Sequence, residues 1–157
     1  MNASREGFRR RSRAVALQVL YAIDVAREEP QHETEAAFEA VASHFELPHA
    51  ARAFAEQLVK GVRASREEID ALIRRYAENW RLERMPAVDR NILRLAVYEL
   101  RDTATPPAVV IDEAIELARR YAGETAPAFV NGILDAVARS LESLRSVRAA
   151  HGEDKPA

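Results

Sequence analysis

No cysteine occurs in the 157 residues. That excludes disulfide frameworks, thiolate nucleophiles and cysteine-based zinc sites. Glycine is scarce, with five in the whole chain. No G-x-G-x-x-G, Walker A or G-x-S-x-G pattern is present, so the common phosphate-cradling loops and the hydrolase elbow are absent. Apolar runs fall far short of the roughly 20 residues that cross a bilayer, so no membrane association is expected. No apolar segment with a cleavage site follows the basic N-terminus, and no signal peptide is expected. The four histidines, His32, His44, His49 and His151, stand in no metal-ligand spacing. Acids sit mainly beside arginines, as Glu67 and Glu68 do beside Arg66, which is the pattern of a solvated helix face. Nothing points to catalysis. A non-enzymatic, cytoplasmic protein without metal or cofactor is the expectation.

Hydrophobic residues make up 48% of the chain and charged residues 31%. This is enough for one domain with its own core and excludes disorder over most of the length. Alanine, leucine, glutamate and arginine dominate, and all four favour helices. No alternating strand pattern and no internal repeat is visible. Seven helices are predicted. The first spans about Phe8 to Arg27 and is closed by Pro30. The second covers about Glu33 to Phe45, and the third His49 to Arg63 with Ala51, Phe54, Ala55, Leu58 and Val62 facing inward. Ser65 and Glu68 fit a capping box for the fourth, whose stripe is Ile69, Leu72, Ile73 and Tyr76. A connector at 79–84 carries the single tryptophan, Trp80. The fifth runs from Pro86 to Asp102. The sixth starts at the Pro106-Pro107 break and ends at Gly123 in the C′ position. The seventh, capped by Thr125, covers about Ala126 to Arg148. The expected organisation is a flexible lead over 1–7, one helical domain over 8–148, and a flexible tail over 149–157. The domain divides into packed subdomains over about 8–63 and 65–148.

Charge is concentrated in one place. Residues 5–13 contain five arginines against Glu6, in a chain of net charge −2. Arg9, Arg10, Arg11 and Arg13 occupy the first turns of helix one, where the helix dipole repels cations and unpaired N–H groups attract anions. The cluster is therefore poor as a stabilising device and suited to phosphate. It reads equally as a solvated basic tail. Further along, Val15, Leu17, Val19, Leu20, Ile23 and Val25 point to almost every side, so the rest of the fold is expected to wrap this half of the helix.

Three further features carry two readings each. Glu99 and Asp89 lie in or near the apolar sector of helix five, and a buried carboxylate needs a partner. An internal arginine would serve; alternatively Asp89 faces another protein. Asn131-Gly132 sits inside helix seven, where glycine costs about 1 kcal/mol relative to alanine. Close helix packing, with Asn131 as an internal hydrogen-bonding group, is the favoured explanation. Phe129 projects away from the stripe of Val130, Leu134, Val137 and Leu141. It either packs on a neighbouring helix or forms a stacking platform for a base.

Four ordered blocks resemble the NusB family of transcription antitermination factors. They are Arg9-Arg10-Arg11-Ser12-Arg13 with Leu17-Gln18-Val19-Leu20-Tyr21, then Val88 to Leu100, then Glu113 to Ala118, and Phe129 to Asp135. The similarity spans about residues 8 to 140. It implies an all-α fold of seven helices in two packed subdomains. It also implies binding of boxA-type single-stranded RNA from ribosomal RNA leader and spacer regions. The implied protein partner is NusE, a small-subunit ribosomal protein. With it and other Nus factors the chain would join an RNA polymerase antitermination complex. By position, Arg9, Arg10, Arg11 and Arg13 become the phosphate-binding cluster. Gln18 and Phe129 become RNA contacts. Tyr21, Glu83 and Asp89 become the face for NusE. A homodimer that covers the RNA surface is compatible with the family.

Two departures stand out. Asp89 replaces a frequent glutamate, and the 124–128 stretch lacks the lysine that some relatives carry. Two other readings remain at this stage. One is a purely protein-binding helical adaptor. The other is a stand-alone relative of the NusB-like domain found in ribosomal RNA methyltransferases, although without cysteine no cysteine-dependent methyltransferase domain is present.

Overall fold

The computed structural model describes residues 2–26 and 30–152. Among these are seven α-helices and no strand: α1 (Asn2–Ala26), α2 (Pro30–Ala42), α3 (His49–Ala64), α4 (Arg66–Tyr76), α5 (Ala87–Asp102), α6 (Pro107–Tyr121) and α7 (Ala126–Gly152). A short 3-10 turn, Leu82–Arg84, precedes α5. The all-helical architecture agrees with the expectation from composition and periodicity.

The centre of the molecule is α5, which packs against α1, α3, α4, α6 and α7. Every residue from Asn91 to Leu100 is buried. Helix α1 is wrapped less completely than its apolar content suggests. Val15, Leu17, Val19, Leu20 and Ile23 are buried, but Tyr21 is 41% exposed and Val25 is 53% exposed. Gln18, Tyr21, Ala22 and Val25 follow i, i+3, i+4, i+7 spacing, so they form one stripe that no described helix covers.

Helix α5 also carries Asn91, Arg94 and Glu99 into the core, and each of these finds a charge. Arg13 Nε and Nη2 donate to the two Glu99 carboxylate oxygens, both at 2.8 Å. Arg94 donates to both Asp70 oxygens at 2.8 and 3.1 Å and to Asp24 at 3.2 Å. Arg90 and Asn91 reach the same Asp24 oxygen at 2.8 and 2.9 Å. Thus α1 is tied to α5 at two points, Arg13 to Glu99 and Asp24 to Arg90. The order is reversed along the two chains, so the helices run antiparallel.

The ends of several helices depart from the predicted ones. Helix α1 begins at Asn2, so residues 2–7, expected as a flexible lead, are helical. Pro30 opens α2 instead of closing α1. The predicted end of helix one, Arg27, lies outside the described residues. Ser65 makes no side-chain cap. It is also the C-cap of α3, its N–H bonded to Gly61 O at 3.1 Å. At φ −111°, ψ 19° it lacks the extended shape a capping box needs. The apolar core continues across this junction, near which the sequence placed a subdomain boundary. Pro86 is the N-cap of α5 and not its first helical residue. Helix α6 leaves through Ala122 in an extended conformation, and no glycine has positive φ, so Gly123 is not a left-handed C-cap. Helix α7 runs on to Gly152, beyond the expected end at Arg148.

Candidate nucleic-acid interface

The four arginines of the α1 cluster point in different directions, because successive helical residues turn by about 100°. Arg9 and Arg13, four apart, both lie over the Phe54 ring of α3, at 5.2 and 5.6 Å. Arg10 points to α6, where Glu113 accepts two hydrogen bonds at 3.1 and 2.9 Å. Arg10 nevertheless remains half exposed, at 51% of its side chain. Arg11 is exposed. Arg13 is only 3% exposed and is committed to the buried Glu99. A phosphate would reach Arg13 only by stripping a buried carboxylate of its countercharge, which costs several kcal/mol. Arg13, expected from the sequence in the phosphate cluster, lies in the core. The partner it supplies is the internal arginine that Glu99 requires.

Beside these arginines Ser12 is buried, with Oγ 2.7 Å from Ala51 O and 2.8 Å from Phe8 O. Ala51 lies in the first turn of α3. The hydroxyl therefore sets the approach of α1 to α3 next to the basic cluster.

A second focus lies at the start of α5 and α7. Ala77 caps α4, and Asn79 takes a left-handed φ of 47°, a conformation that asparagine tolerates. This turn leaves Trp80 59% exposed. Its ring meets Phe129 edge-on, with centroids 5.6 Å apart and planes at 70°. Both rings border a cleft of about 220 Å³ that Met85, Pro86, Asp89 and Thr125 complete. Asp89 is only 8% exposed. Burial pushes its carboxyl above the ordinary 3.8, and its own backbone N–H offsets this only in part. Phe129 thus pairs with a neighbouring ring and still lines an open cleft.

Glu83 is elsewhere. It is exposed and accepts a 2.8 Å bond from Arg74. That bond, helped by its own backbone N–H, holds its pKa below the ordinary 4.5. It borders a different cleft from Asp89, together with Asp24 and Arg90. The two acids expected to share one face line separate clefts. Gln18 and Tyr21 share the open stripe of α1, on its C-terminal half.

Asn131 and Gly132 are exposed, and a Cβ built on Gly132 meets nothing within 4 Å. The close-packing explanation for this pair is therefore wrong. Trp80 is the residue that sequence reasoning passed over, although a lone tryptophan in a polar connector was the available signal. Among the described residues no group of three or more histidines or acids is placed to hold a metal ion. No described helix is long and apolar enough to cross a membrane.

The NusB family model matches residues 10–139, from the arginine end of α1 to the middle of α7. The chain belongs to the NusB family. The transcription antitermination protein NusB of Heliobacterium modesticaldum is 47% identical over 150 residues, covering 95% of this chain and 71% of that protein. The T. maritima NusB structure superimposes with a TM-score of 0.77 at 40% identity, covering 83% of this chain and 90% of that one. A crystal structure of antitermination factors NusB and NusE in complex with dsRNA contains a chain that matches with a TM-score of 0.76 at 31% identity. It covers 85% of this chain and 97% of that one. The NusB match includes Arg10, Arg11, Trp80, Asp89 and Phe129, and it begins one residue after Arg9.

Proposed function

We propose that this protein is an RNA-binding antitermination factor. It binds boxA-type single-stranded RNA of ribosomal RNA transcripts together with NusE, and with other Nus factors it acts on RNA polymerase in the cytoplasm. The observation that carries the proposal is the solvent-facing arginine end of α1 in a NusB-family chain. Arg9, Arg10 and Arg11 supply phosphate contacts, which give affinity that falls with salt. Phe129, with Trp80 beside it, offers ring faces to unstacked bases, and Gln18 adds a polar contact. Asp89 accepts a hydrogen bond from a group that enters the aromatic cleft. Tyr21 and Glu83 meet the basic partner, whose approach opposite charge assists. No catalytic role is assigned.

The test is binding of labelled boxA RNA and a scrambled control across a salt series, with and without NusE. Wild type is compared with Arg10→Ala/Arg11→Ala and with Phe129→Ala. The proposal expects a preference for boxA that NusE strengthens. It expects a shallower salt slope in the arginine variant, and a loss of preference without slope change in the phenylalanine variant. Equal, weak binding of both RNAs, unmoved by any variant, would leave a protein-binding adaptor as the better description.

A further inference from the structure

The connector that brings Trp80 to Phe129 is held by a side chain outside it. Within the connector, Trp80 N–H bonds to Ala77 O at 3.1 Å, and Met85 N–H reaches Arg81 O and Leu82 O, both at 3.2 Å. The buried side chains of Leu82 and Met85 anchor it to the core. Its carbonyls need more. A single 3-10 turn leaves its last C=O groups short of partners. Arg90, in the first turns of α5, supplies them. Its Nη1 donates to Leu82 O at 3.2 Å and to Met85 O at 3.3 Å, and it lies 3.5 Å from Glu83 O.

The other edge of the same guanidinium is fixed to α1. Nε and Nη2 both meet Asp24 Oδ2, at 2.8 and 2.7 Å. The two side chains are 15% and 13% exposed, so water competes weakly for these bonds. Met85 links the clamp to the aromatic cleft: its carbonyl is on Arg90, and its side chain lines the cleft with Trp80 and Phe129. Asp89, one residue before Arg90, leaves the helix about 100° away and borders that cleft. Arginine suits this post because its planar fork offers donors on two edges at once. Lysine is a compact point charge, which can serve Asp24 or the carbonyls but not both.

We propose, resting on the base-contacting role given to the cleft above, that Arg90 is a positioning residue for base recognition. Clamped to Asp24, it fixes the 82–85 turn, and so the spacing of Trp80, Met85 and Phe129 around the cleft. Arg90 itself touches no base. A ring already held in place takes a base without the ordering cost that a swinging ring would add.

Arg90→Lys keeps the charge and the Asp24 ion pair and gives up the carbonyls. Trp80 is the single tryptophan, so its fluorescence and its NMR contacts with the Phe129 ring report the connector directly. In Arg90→Lys these contacts are expected to fade, and acrylamide to quench Trp80 faster. Preference for boxA over the scrambled RNA falls by about fivefold or more, the scale of one stacked base. The salt slope keeps its wild-type value, because no phosphate contact is lost. Asp24→Asn removes the charge that anchors the clamp and moves the Trp80 signals in the same direction by a smaller amount. Gly61→Ala, strained against Tyr98, controls for stability: it lowers the melting midpoint and leaves the Trp80 contacts in place. Trp80 signals unmoved in both Arg90→Lys and Asp24→Asn overturn the proposal. Signals that move as much in Gly61→Ala as in Arg90→Lys overturn it too. So does a moved connector with boxA preference intact, where Phe129→Ala loses that preference. A wild type without boxA preference, or a Phe129→Ala that keeps it, overturns the function proposed above instead, and the Trp80 signals alone then decide whether Arg90 holds the connector.

Discussion

Arg13→Met separates a structural arginine from an RNA-binding one. In the wild-type protein Arg13 and Glu99 are 3% and 1% exposed and joined by two 2.8 Å hydrogen bonds. Methionine fills much of the same volume but leaves the Glu99 carboxylate buried without a countercharge. Breaking a buried pair in this way costs about 3–5 kcal/mol. For a chain of this length each kcal/mol shifts the melting temperature by about 2–4 °C, so the expected fall is roughly 6–20 °C. Replacing both partners, Arg13→Met/Glu99→Met, removes the orphaned charge and should recover most of the loss. The assay is thermal or urea unfolding of the three proteins, followed by boxA binding across a salt series at a temperature where all are folded. A phosphate ligand contributes about 0.7 to the slope of log K against log salt for a single strand. The buried geometry requires the double variant to keep the wild-type slope. A single variant that melts within about 2 °C of wild type, with a slope shallower by about 0.7, would refute the core assignment and restore Arg13 to the phosphate cluster.

Gly61 of α3 and Gly132 of α7 should respond to alanine in opposite directions. A Cβ on Gly61 would lie 2.2 Å from Tyr98 Cε2, so Gly61→Ala should lower the urea midpoint by about 1–3 kcal/mol equivalent despite its better helix propensity. Gly132 has open space, and Gly132→Ala should raise stability by about 0.5–1 kcal/mol; a loss there would mean that Gly132 has a packing partner after all. Asp89, raised above 3.8 by burial, favours the native state when protonated and disfavours it as pH rises through the elevated value. Relative to Asp89→Asn, wild type should therefore lose stability as pH rises from about 4 through the elevated value in parallel urea melts, and a relative gain would contradict the burial argument. Burial alone would raise Asp24, but hydrogen bonds from Arg90 and Asn91 and the charges of Arg90 and Arg94 prevail and hold it below 3.8. Its stabilisation is present above its unfolded value and lost as pH falls through the lowered one, so Asp24→Asn should flatten the acid limb below about pH 4.

Much of the fold was legible because helices announce themselves locally. Apolar spacing of 3.6 residues located the third, fourth, fifth and seventh helices, and the prolines marked the breaks that placed the second and the sixth. The ends were less legible, since a cap depends on what the flanking residue is already doing. Ser65 closes α3 while it opens α4, so its hydroxyl does not form the predicted box. Of the candidate site, the arginine end of α1 and Phe129 were readable from residue type and position. Trp80 as the neighbour of Phe129 was not, because 49 residues of chain and two helices separate them.

By itself the sequence determined the helical class, the family and the kinds of chemistry available: many arginines, no thiols and no phosphate loop. It also determined the angle at which each α1 side chain leaves its helix. What stands opposite that side chain was decided only by tertiary packing. Arg10, Arg11 and Arg13 are identical in type and near neighbours in the chain. One meets Glu113, one faces water, and one is sealed against Glu99 in the core. The physical reason is that an arginine's role is set by the dielectric around it and the nearest carboxylate. Both are supplied by helices that lie about 100 residues away in the chain.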